Sequence, residues 1–469
     1  MRPGVSVLCI CWILLTCPAG FAATWRVPLQ CPTIQAGIDS ASAGDTVLVA
    51  CGTYYEHDIV MKSGISLCSE TGHWGCVTID AEENGRVMFL EDLEGPEIIE
   101  GFTLTGGKVD ASSLPPYKGA GLCCYNSSPS VRYCKFAENT AGGTYGSGGG
   151  MACHEGSRPS LHGCLFSDNG AVDGGGLACY GISSAVLVEC SFEGNHVGHP
   201  LGGGGAAMCC IGGSAMLTDC TFLNNVNSGG DGGGVLCWSV QLSLTRCFFS
   251  DNGDPYGDNW FGGAISCYEC SLDVSDCVLL DNSAGRGGGM QCESCSGSFD
   301  GCVFAGNVAS GGGWEGGGGA MYCRSSSLTV TGCTLYANSS PSWTSGISCE
   351  YGTSLVAEEC IIASGVGVTT LWCYWDSQMT LTCCNVYGNQ GGDWAHCVAD
   401  QYGINGNISA DPFFCDPEND DFTIAEDSPC AAGNHPDGYP CSLIGALDVG
   451  CDPSRTERRT WGGVKALYR

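Results

Sequence analysis

Cys134-Lys-Phe136-Ala-Glu-Asn139, Cys164-Leu-Phe166-Ser-Asp-Asn169 and Cys190-Ser-Phe192-Glu-Gly-Asn195 are three copies of one phrase. It returns at Phe222/Asn225, Phe249/Asn252, Leu279/Asn282, Phe304/Asn307, Leu335/Asn338 and Val386/Asn389, with a degenerate copy at Cys360-Ile-Ile362. Between the copies stands a second phrase, GG(A/G)xxC. It ends at Cys124, Cys153, Cys179, Cys209, Cys237, Cys267, Cys292, Cys323, Cys349 and Cys373, in steps of 24 to 31 residues. Fixed phrases joined by spacers of changing length describe stacked coils whose loops differ. The chain therefore reads as all-β, a single parallel solenoid.

The phrases have a physical logic. One residue per coil lands above its copy in the next coil, at a spacing of about 4.8 Å. Phe136, Phe166, Phe192, Phe222, Phe249 and Phe304 then form an interior aromatic column. The Asn that follows, from Asn139, Asn169, Asn195, Asn225 and Asn252 to Asn307, suits a bend, because Asn tolerates left-handed backbone. Stacked Asn side chains also bond along a ladder. The glycine runs mark another corner, where the chain needs positive φ or close backbone contact. Two columns of cysteine follow, one through Cys153, Cys179, Cys267 and Cys292, the other from Cys134 to Cys384. Two arrangements fit them: disulfides between coils, or reduced thiols packed as small hydrophobes. Bridging is the expectation for most, because the first residues point to an oxidising compartment.

Those first residues read as a secretory signal, residues 1–23. Arg2 begins it, Val5 to Thr16 is apolar, and Gly20-Phe-Ala22-Ala23 resembles a cleavage region. With the signal removed, 34 of the 37 cysteines remain. No later apolar run reaches the roughly 20 residues of a membrane-spanning helix. The net charge of −32, from 49 acidic and 17 basic residues, excludes a nucleic-acid partner, since phosphate binding needs a basic surface.

Four regions follow the signal. Residues 24–118 hold an entry cap and the first coils; Pro32-Thr-Ile-Gln-Ala-Gly-Ile38 reads as a short amphipathic capping helix with Thr33 as N-cap. Residues 119–389 are the regular coils. Residues 390–451 close the rod, with Cys415, Cys430, Cys441 and Cys451 as staples. Residues 452–469 form a basic tail carrying Arg455, Arg458, Arg459, Lys465 and Arg469, a candidate sorting or anchoring signal.

Three features carry a resemblance. The paired repeats are similar to those of chlamydial-type polymorphic outer membrane proteins. Pro32-Thr-Ile-Gln35 with Gly44-Asp-Thr-Val-Leu-Val49 and Gly52-Thr-Tyr54 resembles the start of secreted, pectin-lyase-like parallel β-helices. Asp411-Pro-Phe, Ser428-Pro-Cys and Ile444-Gly-Ala resemble the end of bacterial surface β-helix proteins. The resemblance implies a right-handed helix and a place outside the cell or on its surface, bacterial outer membrane or periplasm included. Only 18 residues follow Cys451, too few for the membrane barrel in which the polymorphic proteins end.

Candidate chemistry is sparse. Tyr145, Trp260, Trp314, Trp343 and Trp394 stand five to eight residues past their Asn. If those loops stack, the rings form a stripe able to grip glycans or a protein partner. The alternative is that the rings fold back over the glycine corner. Asp251, Asp254 and Asp258 form an acidic loop that suits calcium, although the spacing is not that of an EF-hand. Cys267-Tyr-Glu-Cys270 and Cys292-Glu-Ser-Cys295 have a zinc-like spacing, yet Cys267 and Cys292 already belong to the repeat column. No repeated set of Asp with His or Arg marks a lyase or hydrolase site. The resulting expectation is a non-catalytic structural or adhesin-like surface protein. The alternative is a polysaccharide lyase or glycoside hydrolase.

Overall fold

Each coil turns on residues that accept left-handed backbone. The coil that begins at Gly148 (φ +63°) runs through the strand Met151–His154 and turns at Glu155 (φ +52°). It continues through Ser160–His162, turns at Gly163, passes through Leu165–Ser167 and turns again at Asp168 (φ +56°). Within the strands, side chains alternate. Met151, Cys153, Leu161 and Phe166 point inward, and with Cys164 at the corner they belong to one buried core.

The computed structural model describes residues 22–110, 119–198, 203–253, 261–311 and 317–451. Three long parallel sheets, of 14, 14 and 13 strands, run the length of the molecule. Parallel crossovers of this kind close in the right-handed sense. The helix Ile34–Ser40 covers the open first end. Thr33 caps it by accepting from the Ala36 N–H at 3.1 Å, and Ile34 and Ile38 are fully buried.

The register puts like on like. Phe136 pairs with Phe166, Phe166 with Phe192, Phe192 with Phe222, and Phe222 with Phe249. Their ring centroids are 4.6, 4.6, 4.9 and 4.4 Å apart and the planes lie within 9° of parallel. Leu279 interrupts the stack before Phe304.

The Asn column is the expected ladder of stacked, bonded side chains, but the Asn is not the residue that makes the bend. The left-handed residue is the one before the Asn: Glu138, Asp168, Gly194, Asn224, Asp251 and Gly306. The Asn itself points inward. Asn195 Nδ2 donates to Phe166 O at 2.9 Å and to Asn225 Oδ1 at 3.0 Å. Its Oδ1 accepts from the backbone N and the Nδ2 of Asn169. The amide thus makes four bonds, two given and two received, which a carboxylate cannot do because it has no donor.

The expectation that most column cysteines are bridged is corrected. Four disulfides are present among the described residues, Cys51–Cys76, Cys373–Cys397, Cys383–Cys441 and Cys415–Cys451. Apart from Cys373 at the end of its column, the column cysteines are thiols, as are Cys270 and Cys295. In-register parallel strands project successive side chains side by side, whereas a bridge needs Cβ atoms turned toward each other. The thiols point into the core and donate to carbonyls, as Cys164 Sγ does to Val131 O at 3.5 Å. The column also passes through Cys210 rather than Cys209: Cys179 pairs with Cys210, and Cys210 with Cys237. Cys430, expected as a staple, is a buried thiol whose Sγ accepts from Asn385 Nδ2 at 3.1 Å.

The closing region divides into two parts. Residues 394–408 cap the end, with Val398 in the main core and Asn407 Nδ2 donating to Leu381 O at 2.9 Å. Residues 411–451 instead fold back along the side of the rod. Their three strands, Phe414–Asp416, Asp421–Ala425 and Val449–Cys451, bring Phe422 onto Leu280, Val303 and Ala305. Those three sit on the outer face of the Phe-bearing sheet, whose earlier coils carry Lys135, Ser191 and Thr221 outward.

Candidate functional site

The expected aromatic stripe in the loops after each Asn does not assemble from the residues that are described. Tyr145 is 77% exposed on its loop. Trp343 is half-buried within the strand Ser339–Glu350, seven coils further on. Trp394 packs against the end of the core, and its Nε1 donates to Ile408 O at 3.1 Å. Trp260 and Trp314 lie outside the described residues, as do Asp254 and Asp258 of the candidate calcium loop. Asp251 is described: it is the left-handed corner residue before Asn252, and its Oδ2 accepts from Ser250 Oγ at 2.7 Å. Among the described residues no three His, Cys, Asp or Glu side chains are placed to share a metal ion, the zinc-like cysteine pairs included. No described helix is long and apolar enough to cross a membrane. Residues 1–21 of the expected signal (1–23) and the basic tail (452–469) are outside the described residues.

A different aromatic line does assemble, on the residue immediately after each inward cysteine of the glycine phrase. Alternation turns that residue outward. Pairing places Tyr125 beside His154, Tyr180 beside Ile211, Ile211 beside Trp238, and Trp238 beside Tyr268. His154 and Tyr180 stack with centroids 5.4 Å apart and planes at 5°, and Trp238 and Tyr268 stack at 5.2 Å. Trp238 is 48% exposed.

Polar residues then take over the same line. Tyr268 pairs with Glu293, Glu293 with Arg324, and Arg324 with Glu350. Arg324 Nη1 donates to Glu293 Oε1 at 3.2 Å while its guanidinium lies 4.2 Å from the Tyr351 ring centre. Beyond it come Tyr351 and Trp375 at 4.0 Å and Tyr374 and Trp375 at 4.6 Å. Tyr351 (φ +54°) and Trp375 (φ +45°) are themselves left-handed corners, where other coils place Asn126, Glu155 or Gly181. Left-handed backbone costs an ordinary residue roughly 1–2 kcal/mol, so bulky rings at these corners are held against the local preference.

Carboxylates fix the tyrosines. Tyr180 OH donates to Asp173 Oδ2 at 3.1 Å, and Asp173 Oδ1 accepts from Gly204 N at 3.0 Å. Tyr268 OH donates to Asp231 Oδ2 at 2.6 Å, and Asp231 Oδ1 accepts from Phe261 N at 3.0 Å. Burial first, and the adjacent carboxylate with it, hold both phenols above their usual range; burial also raises Asp231. The rings are neutral donors anchored edge-on, and their positions are set before any ligand arrives. The line was readable in the sequence at one place after each column cysteine: Tyr125, His154, Tyr180, Ile211, Trp238, Tyr268, Glu293, Arg324, Glu350 and Tyr374.

Stacked parallel coils with these repeats match the model of the right handed beta helix region family over residues 120–318 and 233–409. The chain belongs to that family. No curated protein matches this β-helix chain. Its fold is similar to two solved structures, each 9% identical. One is a mannuronic acid specific polysaccharide family 6 lyase enzyme from human gut microbiota, with 83% of this chain and 92% of that chain covered at a TM-score of 0.39. The other is the pectate lyase Pel9A, with 92% and 97% covered at 0.36. At those scores the likeness says nothing about chemistry in this β-helix.

Proposed function

We propose that this β-helix is a non-catalytic, exported binding protein of adhesin-like character that lays an extended glycan along the line from Tyr125 to Tyr374. One observation carries the reading: the outward residue after the column cysteine is aromatic in six of ten described coils, Trp238 and Tyr374 among them are nearly half exposed, and Tyr180 and Tyr268 are tied in place by carboxylates. Flat apolar faces with a polar edge suit sugar rings, which present C–H faces and hydroxyl rims. A spacing of about 4.8 Å per coil gives contacts in a row rather than a pocket. Asp173, Asp231, Glu293 and Arg324 supply hydrogen-bonding groups beside the rings. The four disulfides accord with an oxidising compartment.

The test is a glycan array probed with the full chain and with Trp238→Ala/Tyr268→Ala. The expected result is retention of specific polysaccharides by the parent chain and at least tenfold weaker retention by the variant, with unchanged circular dichroism. Equal retention by both removes the line as the binding surface. Release of unsaturated products from a uronic-acid polymer replaces this reading with a lyase.

A further inference from the structure

The side-packed closure leaves a cavity of about 600 Å³ between itself and the last coils, within the size range of small-ligand sites. Tyr336 and Tyr387 line it from the outer face of the Phe-bearing sheet. Phe413, Phe414, Asp411 and Asp427 line it from the closure. Phe414 stands edge-on to Tyr336 at 5.3 Å, which fixes both rings. Asp411 Oδ1 accepts from Phe413 N at 3.0 Å, leaving Oδ2 available. Asp427 makes no ion pair among the described residues, and no lysine, arginine or histidine lines the space.

Four aromatic rings and two carboxylates, with no cation beside them among the described residues, set the chemistry of the occupant. An anion is repelled by both Asp411 and Asp427. A bare divalent cation needs six or more oxygens around it, and these walls bring only two carboxylates, set among four aromatic rings. A guanidinium satisfies both parts at once, placing its flat face on a ring and its N–H fork on a carboxylate. The chain already builds that arrangement once, where Arg324 lies over Tyr351 and donates to Glu293.

We propose that this cavity, separate from the aromatic line, binds the side chain of an arginine presented by a peptide. Two sources offer that group. One is another protein. The other is this chain, because Cys451 lines the cavity and Arg455, Arg458 and Arg459 follow it in sequence.

Calorimetric titration of the full chain, and of a chain ending after Cys451, with N-acetyl-arginine amide tests this. The neutral isostere N-acetyl-citrulline amide serves as control. The expected result is saturable binding of the arginine probe, at least tenfold weaker for citrulline and about tenfold weaker in Asp427→Asn, with Tyr387→Ala as a second, independent variant. Tighter binding to the shortened chain identifies residues 452–469 as the native occupant. Equal binding to both identifies a separate peptide. Absence of saturable binding to both chains overturns the proposal, as does equal affinity for citrulline or no effect of either substitution. Thermal unfolding of each variant confirms that the fold is intact.

Discussion

Replacing Asn195 by Ala interrogates the ladder at its most regular point. Asn195 is fully buried. The change removes four hydrogen bonds: Asn195 Nδ2 to Phe166 O and to Asn225 Oδ1, and those from Asn169 N and Asn169 Nδ2 to Asn195 Oδ1. The losses are unequal. Asn225 Oδ1 still accepts from Asn195 N at 3.1 Å, and Asn169 Nδ2 still donates one proton to Phe136 O at 2.9 Å. Two donors, the Asn169 backbone N–H and the second Nδ2 proton, are left without acceptors. At roughly 1–3 kcal/mol for each buried unsatisfied group, the expected cost is about 2–6 kcal/mol. In a solenoid each coil touches only its neighbours, so the damage should stay near residues 166–225. Hydrogen exchange read by mass spectrometry should therefore show lost protection in that stretch, with the coils near Asn307 unchanged. Asn195→Asp should be no milder, since it keeps the acceptor and loses both donors. A change below about 1 kcal/mol for Asn195→Ala would refute the four-bond account and leave the Phe stack as the main support.

Three further outcomes follow from the same geometry. A Cβ on Gly150 would stand 2.7 Å from Gly176 O and 2.8 Å from Phe166 Cδ1, so Gly150→Ala should cost about 1–3 kcal/mol in chemical denaturation. Burial pushes the Cys134 thiol up to about 12 from its ordinary 9.0. A raised acid pKa in the folded state means that its share of stability is whole below pH 9.0 and falls between 9.0 and about 12, as the unfolded thiol ionises first. Native iodoacetamide labelling at pH 8 should accordingly spare Cys134, and denaturation should expose it. Tyr268→Phe removes the 2.6 Å bond to Asp231 and should cost roughly 1.5–3 kcal/mol, the range for a hydrogen bond to a charged group; retained melting temperature would show that Phe261 N alone holds that carboxylate.

The closing region shows where a linear reading stops. Phe422 and Phe414 look like parts of a terminal cap, because nothing local says which surface they cover. The cue lay elsewhere, in outward positions that change from Lys135, Leu165, Ser191 and Thr221, apolar only once, to an unbroken Phe248, Val278 and Val303. Apolar residues facing outward in three successive coils require a cover, and the chain's own end supplies it. The loop tryptophans misled for the opposite reason. Trp394 is spaced like its counterparts, but its position at the last coil makes it a plug for the core.

Periodicity alone established the coil, the Phe and Asn columns and the capping helix, because stacking like on like needs only a phrase repeated once per turn. Which way a cysteine points relative to its copies, which face receives the C-terminal segment, and which rings meet solvent depend on side-chain direction and on contacts between residues far apart in the chain. Those were settled when the turns were laid in register: only then do Cys153 and Cys179 become neighbouring thiols, and only then do Trp238 and Tyr268 share one surface.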